Sequence, residues 1–184
     1  MHYIYKIDNN GKYIKGIGLH AFIHNVDYYL DLIKIYADGT IDCWGTCSFE
    51  EFELKIKNGW IITQLPEKGR VDMFQLFQVD TSAFDTYIEE AEFVKEVKDT
   101  LLFLQNKRTS TEQCLLAFEN YLSNPNTINQ EKVKQSFYAV PKHLRISILG
   151  NMSMGDGPLK AIIAGNLYDE EAVNYLKEYF QLKR

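Results

Sequence analysis

No apolar run in the sequence approaches the roughly 20 residues that a helical membrane span requires. The opening residues, Met1-His2-Tyr3-Ile4-Tyr5-Lys6, also lack a basic stretch followed by a long apolar one, the pattern of an export signal. These absences argue against a membrane-embedded or exported chain, and a cytoplasmic location is the expectation. Cysteine is scarce: three in 184 residues, an odd number in a chain too long to need staples. Reduced thiols are expected rather than a disulfide framework. There is no internal repeat and no low-complexity segment. With 46% hydrophobic and 24% charged residues, the chain can bury a core as one domain or as two small lobes.

The motifs of common catalytic chemistry are missing too. No Gly-x-Ser-x-Gly elbow is present. Gly16-Ile17-Gly18 lacks the third glycine and the following helix of a dinucleotide fingerprint, and Gly155-Asp156-Gly157-Pro158 lacks the lysine of a P-loop. His20 and His24, with Cys43 and Cys47, supply four zinc-type ligands in principle. On a strand, however, the two histidines lie about 13 Å apart, too far for one ion. No metal, cofactor or catalytic residue is therefore expected, and the chain is read as a non-enzyme, the alternative being a small cytosolic hydrolase or transferase with an unrecognised site.

What is present is charge, unevenly placed. The net charge is −5, but Asp27 to Asp99 holds 16 acidic against 7 basic residues, a net of −9. Such a field repels nucleic-acid phosphates and favours a basic partner. Aromatic residues make up 14% of the chain, suited to a packed core or to a contact surface.

The first half has the pattern of strands, short β-branched and aromatic runs broken by turn residues. Met1 to Asp8, Leu19 to His24, Tyr28 to Ala37 and Thr40 to Trp44 are the first four, with Asp38-Gly39 expected as a two-residue type I′ turn. Both alternating sets of Tyr28 to Ala37 are largely apolar, so this strand is expected to be covered on both faces. Ser48-Phe49-Glu50-Glu51 has capping-box form, which predicts a covering helix over Phe49 to Lys57. Phe49, Phe52 and Ile56 would face inward, and Glu50 and Glu53 outward. Trp60 to Thr63 and Val71 to Val79 read as further strands joined by the turn at Pro66 to Gly69.

From Thr86 the period becomes helical, with Tyr87, Ala91, Val94, Val97, Leu101 and Leu104 on one stripe. Helices capped by Thr109, begun at Asn129, started at Pro141 and Pro158, and opened by Asp169 follow. The fold class is α+β: a mainly antiparallel sheet with one covering helix, then a C-terminal helical bundle. The expected portions are 1–105, ending in the long helix, and 106–184.

The candidate binding residues are the acids Asp38, Asp42, Glu50 and Glu53, with Trp44 beside them as a core residue or an exposed anchor. The stretch from Ile35 to Gly45, then Lys57-Asn58-Gly59-Trp60, Pro66 and Gly69, resembles small bacterial domains similar to the immunity proteins of polymorphic and contact-dependent toxin systems. That resemblance covers Leu19 to Val79 and rests on structural motifs. It implies a protein-binding role against a basic partner such as a toxin domain. If the partner were acidic, Lys132, Lys134, Lys142 and Arg145 in the helical half would be the surface to consider.

Overall fold

A computed structural model describes residues 2–74, 76–83, 85, 86, 88–148 and 156–164, together with 174, 177 and 178. Chain contacts divide the protein into two compact units, Met1–Lys107 and Arg108–Arg184.

The first unit opens with three long strands, β1 (His2–Ile7), β2 (Tyr13–Asn25) and β3 (Asp27–Tyr36), joined as antiparallel neighbours. The short β4 (Ile41–Asp42) pairs with β3, and β5 (Thr46–Cys47) pairs with β4. Helix α1 (Phe49–Lys57) follows, and β6 (Ile61–Ile62) returns to β2. A small hairpin of β7 (Arg70–Asp72) and β8 (Gln78–Asp80) joins the sheet through a parallel pairing of β7 with β3. Helix α2 (Glu90–Leu104) closes the unit.

Strand alternation places Ile17, Ala21, Ile23, Ile33, Ile35 and Ile41 on one face. Phe52 of α1 and Phe93, Val97 and Leu104 of α2 pack there into a single buried cluster with them. Both helices therefore lie on one face, and the expected cover on both faces of β3 is not supplied by α1. The opposite face solves its apolar burden differently. Gly16 pairs directly with Tyr36 and Ile4, and a Cβ on Gly16 would stand 2.7 Å from the Tyr36 ring and 3.0 Å from Ile4 Cγ1. Leu32 occupies the equivalent space over Gly18, 2.5 Å from where a Cβ would be. The two glycines thus belong to β2, which starts at Tyr13 rather than Leu19, and their missing side chains make room for neighbours to lie down on the sheet.

The hairpin at Asp38-Gly39 exists with a different loop. Tyr36 N–H donates to Thr40 O and Gly39 N–H to Tyr36 O, leaving Ala37, Asp38 and Gly39 as a three-residue loop. Only Gly39 takes positive φ, +90°, so the turn is a type I turn closed by a glycine bulge and not a type I′ turn.

Helix α1 spans the expected residues. Glu51 N–H donates to Ser48 Oγ at 3.2 Å and Ser48 N–H to Glu51 Oε2 at 2.7 Å, and Gly59 follows the C-cap Asn58 at φ +71°. Helix α2 begins at Glu90, later than Thr86. Ala91 is exposed and Phe93 takes the burial of the first turn, while Tyr87 lies outside the described residues. The expected strand from Val71 to Val79 is broken at Met73–Phe77, where Met73 N–H donates to Phe77 O and Phe74 has φ +48°.

In the second unit α3 (Ser110–Ser123) starts with Thr109 and Glu112 in a complete capping box. Helix α4 (Thr127–Ala139) is capped by Asn126, whose side chain accepts from Asn129 N–H at 2.8 Å, so the helix begins before the expected Asn129. Pro141 leads a 3-10 segment at Lys142–Ser147, and Pro158 lies in the first turn of α5 (Asp156–Ile163). Cys114, Phe118, Tyr121, Val133, Phe137 and Leu159 form the buried centre of this unit. The expected helix from Asp169 lies outside the described residues, apart from positions 174, 177 and 178.

Candidate protein-binding site

The five candidate residues do not converge. Asp38 sits in the β3–β4 loop, where it pairs with Lys6 at 2.7 Å and accepts from the Thr40 hydroxyl and N–H. Burial pushes its carboxyl up, but the hydrogen bonds from Lys6 and Thr40 outweigh this and hold it below its ordinary value. Asp42 pairs with Lys34 across the strands at 3.2 Å, and its other oxygen accepts from Gly45 N–H. The Lys34 hydrogen bond to Asp42, more than the opposing burial, raises the Lys34 ammonium. Both acids are thus engaged within the fold. Glu50 and Glu53 are exposed on α1, as their helical positions required.

Trp44 departs from strand alternation. Its backbone is left-handed, φ +60°, which turns its side chain away from the face that carries Asp42. The indole N–H donates to Asp31 at 2.5 Å, and the ring packs on Tyr29 at 5.1 Å, Phe74 at 6.2 Å and, edge-on, Trp60 at 6.4 Å. It is 39% exposed, so it is not a core residue covered by the helix.

These contacts identify residues that the sequence reading passed over. Tyr29, Asp31 and Trp60 support the indole from beneath and beside it. Phe74 belongs to the β7–β8 tip, where Phe74, Leu76 and Phe77 are 56%, 78% and 47% exposed. These three side chains, next to an exposed tryptophan, form an exposed apolar patch. Acids frame the tip. Asp72 and Gln78 face each other at its base, 2.7 Å apart, and Asp27 meets Arg70 at 3.4 Å beside it. The run Met73-Phe74-Gln75-Leu76-Phe77 inside an acidic segment was the available signal, and its strand-like composition concealed it.

Among the described residues, the four candidate zinc ligands are split between the two faces of the sheet. His20 and His24 are exposed on the face away from the helices, with His24 stacked on Tyr28 at 4.6 Å. No three His, Cys, Asp or Glu side chains there converge as for a metal ion. Cys43 and Cys47 are buried with their sulfurs 3.6 Å apart, and burial, followed by the neighbouring Cys43, pushes the Cys47 thiol up to about 12. A thiol so held is a poor nucleophile at neutral pH.

Two family models match the chain. Domain of unknown function DUF7638 covers residues 3–108 and domain of unknown function DUF7639 covers residues 109–179. Their junction falls beside the structural division after Lys107. No curated protein and no solved structure matches the chain.

Proposed function

This chain belongs to the DUF7638 family, and we propose that it is a non-catalytic protein-binding module that receives a basic partner on the surface around Trp44 and the β7–β8 tip. The observation that carries this reading is the exposed Trp44–Phe74 pair, held by Asp31 and Tyr29 and continued by Leu76 and Phe77. Aromatic anchors beside rim charges are the usual composition of contact surfaces. The net −9 of Asp27 to Asp99 supplies the long-range attraction, with Glu50 and Glu53 as exposed contributors. In keeping with the resemblance over Leu19 to Val79, the partner we propose is a toxin domain, neutralised in the cytoplasm.

The test is capture of a partner from the native host, repeated with Phe74→Ser/Leu76→Ser and, separately, with Glu50→Lys/Glu53→Lys. The tip variant is expected to abolish capture. The charge variant is expected to slow association at low salt while leaving folding nearly intact. A partner bound equally well by the tip variant excludes this surface. An acidic partner overturns the electrostatic argument; Arg145 is then a weak alternative, because its guanidinium already serves the end of α4, donating to the carbonyls of Val140 and Tyr138.

A further inference from the structure

The turn that carries Trp44 brings two cysteine side chains together. Strand β4 pairs Ile41 with Cys47 and Asp42 with Thr46 of β5, so the connecting turn is Cys43-Trp44-Gly45. Alternation then puts Ile41, Cys43 and Cys47 on the core face. Cys43 is 1% and Cys47 7% exposed, and their Sγ atoms are in contact at 3.6 Å. A disulfide requires about 2.04 Å between sulfurs, an approach of roughly 1.6 Å. On its outer side the turn is open to solvent. A Cβ on Gly45 would meet nothing within 4 Å, and Trp44, Gly45 and Thr46 are exposed. The third cysteine, Cys114, belongs to the buried core of the second unit and is no part of this pair.

We propose that Cys43 and Cys47 form a reversible disulfide with a low-molecular-weight disulfide as oxidant, clamping the turn that presents Trp44. In the first exchange one cysteine thiolate attacks a sulfur of the small disulfide, forming a mixed disulfide and releasing one small thiolate. The second cysteine, deprotonated, then attacks the sulfur of the first, forming the Cys43–Cys47 bond and releasing the second small thiolate. Two protein thiols are oxidised, one small disulfide is reduced to two thiols, and the two protons pass to solvent or to the departing thiolates.

The fold controls the rate of this exchange. The closed hairpin shields both sulfurs from solvent, and burial in addition keeps the Cys47 thiol protonated at neutral pH. Reaction therefore follows opening of the β4–β5 pair, a ladder of two residues on each side. Once the first sulfur is captured, reclosing places the second beside it, and ring closure outruns accumulation of the mixed disulfide. Because the new bond lies on the core face, its reduction waits on the same opening. The oxidised turn holds Trp44 between two linked positions, so its indole environment follows the redox state. This inference does not depend on the identity of any binding partner.

The experiment equilibrates the full chain at mildly alkaline pH in glutathione buffers of graded ratio, followed by acid quench, alkylation of the unfolded protein and mass analysis. At the oxidising end the expected product has lost two hydrogens, carries a single alkylated thiol at Cys114, and yields a cross-linked 43–47 peptide. Cys43→Ser and Cys47→Ser are each expected to lose this product and to take up glutathione on the remaining sulfur. In a Trp60→Phe background Trp44 is the only tryptophan, and its emission is expected to change with the same ratio dependence as the thiol loss. Three alkylated thiols at every ratio, both in native buffer and in urea just short of global unfolding, would falsify the proposal. A cross-link that uses Cys114 also overturns it. Thiol loss with an unchanged Trp44 emission overturns the clamp.

Discussion

The indole N–H of Trp44 donates to the carboxylate of Asp31, 13 residues earlier in the chain, at 2.5 Å. The other Asp31 oxygen accepts from Leu32 N–H at 2.6 Å. One carboxylate thus ties an exposed ring to the middle of β3, and it lets a residue with left-handed backbone keep a defined side-chain position. Hydrogen bonds to a charged acceptor are worth more than neutral ones.

Asp31→Ala is therefore expected to lower stability by about 1 to 2 kcal/mol and to shift Trp44 emission. The measurement belongs in a Trp60→Phe background, because Trp60 Nε1 is buried without a hydrogen-bond partner among the described residues and its removal forfeits no bond. An unchanged denaturation midpoint together with unchanged emission would show that the indole is held by its ring contacts alone.

The two sheet glycines differ in what blocks them. A Cβ at Gly16 would lie 2.6 Å from the backbone oxygen of Ile35, whereas at Gly18 all three nearest atoms belong to the Leu32 side chain. Backbone cannot move aside, but a leucine can. Gly16→Ala is expected to destabilise by about 2 to 3 kcal/mol and Gly18→Ala by about 1 kcal/mol. Leu32→Ala should offset part of the second loss and none of the first, as equilibrium unfolding of the double variants will show.

Gly39 has φ +90°, and a Cβ there meets only Gln105 Nε2 at 3.7 Å, so substitution is resisted by backbone strain rather than by crowding. Gly39→Val is expected to cost about 1 to 3 kcal/mol, and Gly39→Asn less, since asparagine tolerates the left-handed region. Equal midpoints for the two variants would contradict this account of the turn.

Asp38 makes an acid-sensitive contribution. Its folded pKa is lowered below the ordinary carboxylate value, so the unfolded chain binds the proton first as pH falls. Its contribution is present above the unfolded pKa and is lost as pH drops through the folded one. Asp38→Asn should flatten the acid limb of a stability–pH curve in that region, with little effect near neutrality beyond the lost Lys6 pairing.

Cys47 acts at the other extreme. Its thiol is raised from the ordinary value of 9.0 to about 12, so between those values the unfolded chain releases its proton and the folded one retains it. Stability contributed by the protonated thiol is full below the unfolded pKa and declines as pH rises through this window. Thermal melts from pH 8 upward should fall less steeply for Cys47→Ala than for the parent chain.

The sequence by itself determined what depends on neighbours along the chain. The capping boxes of Ser48 with Glu51 and Thr109 with Glu112, the extent of α1, the strand character of the first half and the outward position of Glu50 and Glu53 are set within a few residues, and the α+β class follows from them. Tertiary structure alone decided what depends on residues distant in sequence. Gly16 and Gly18 are strand residues because Tyr36, Ile4 and Leu32 fill their empty faces. Met73, Phe74, Leu76 and Phe77 lie at a tip because β7 turns back to pair with β8, and an apolar run has no period to distinguish tip from strand. Trp44 left the side of Asp42 because a left-handed backbone, held by Asp31, Tyr29 and Phe74, overrode alternation. Cys43 and Cys47 meet for a related reason. A spacing of three intervening residues leaves the sulfurs apart along an extended strand and brings them into contact once the chain reverses between them, and that reversal exists only where β4 and β5 find each other.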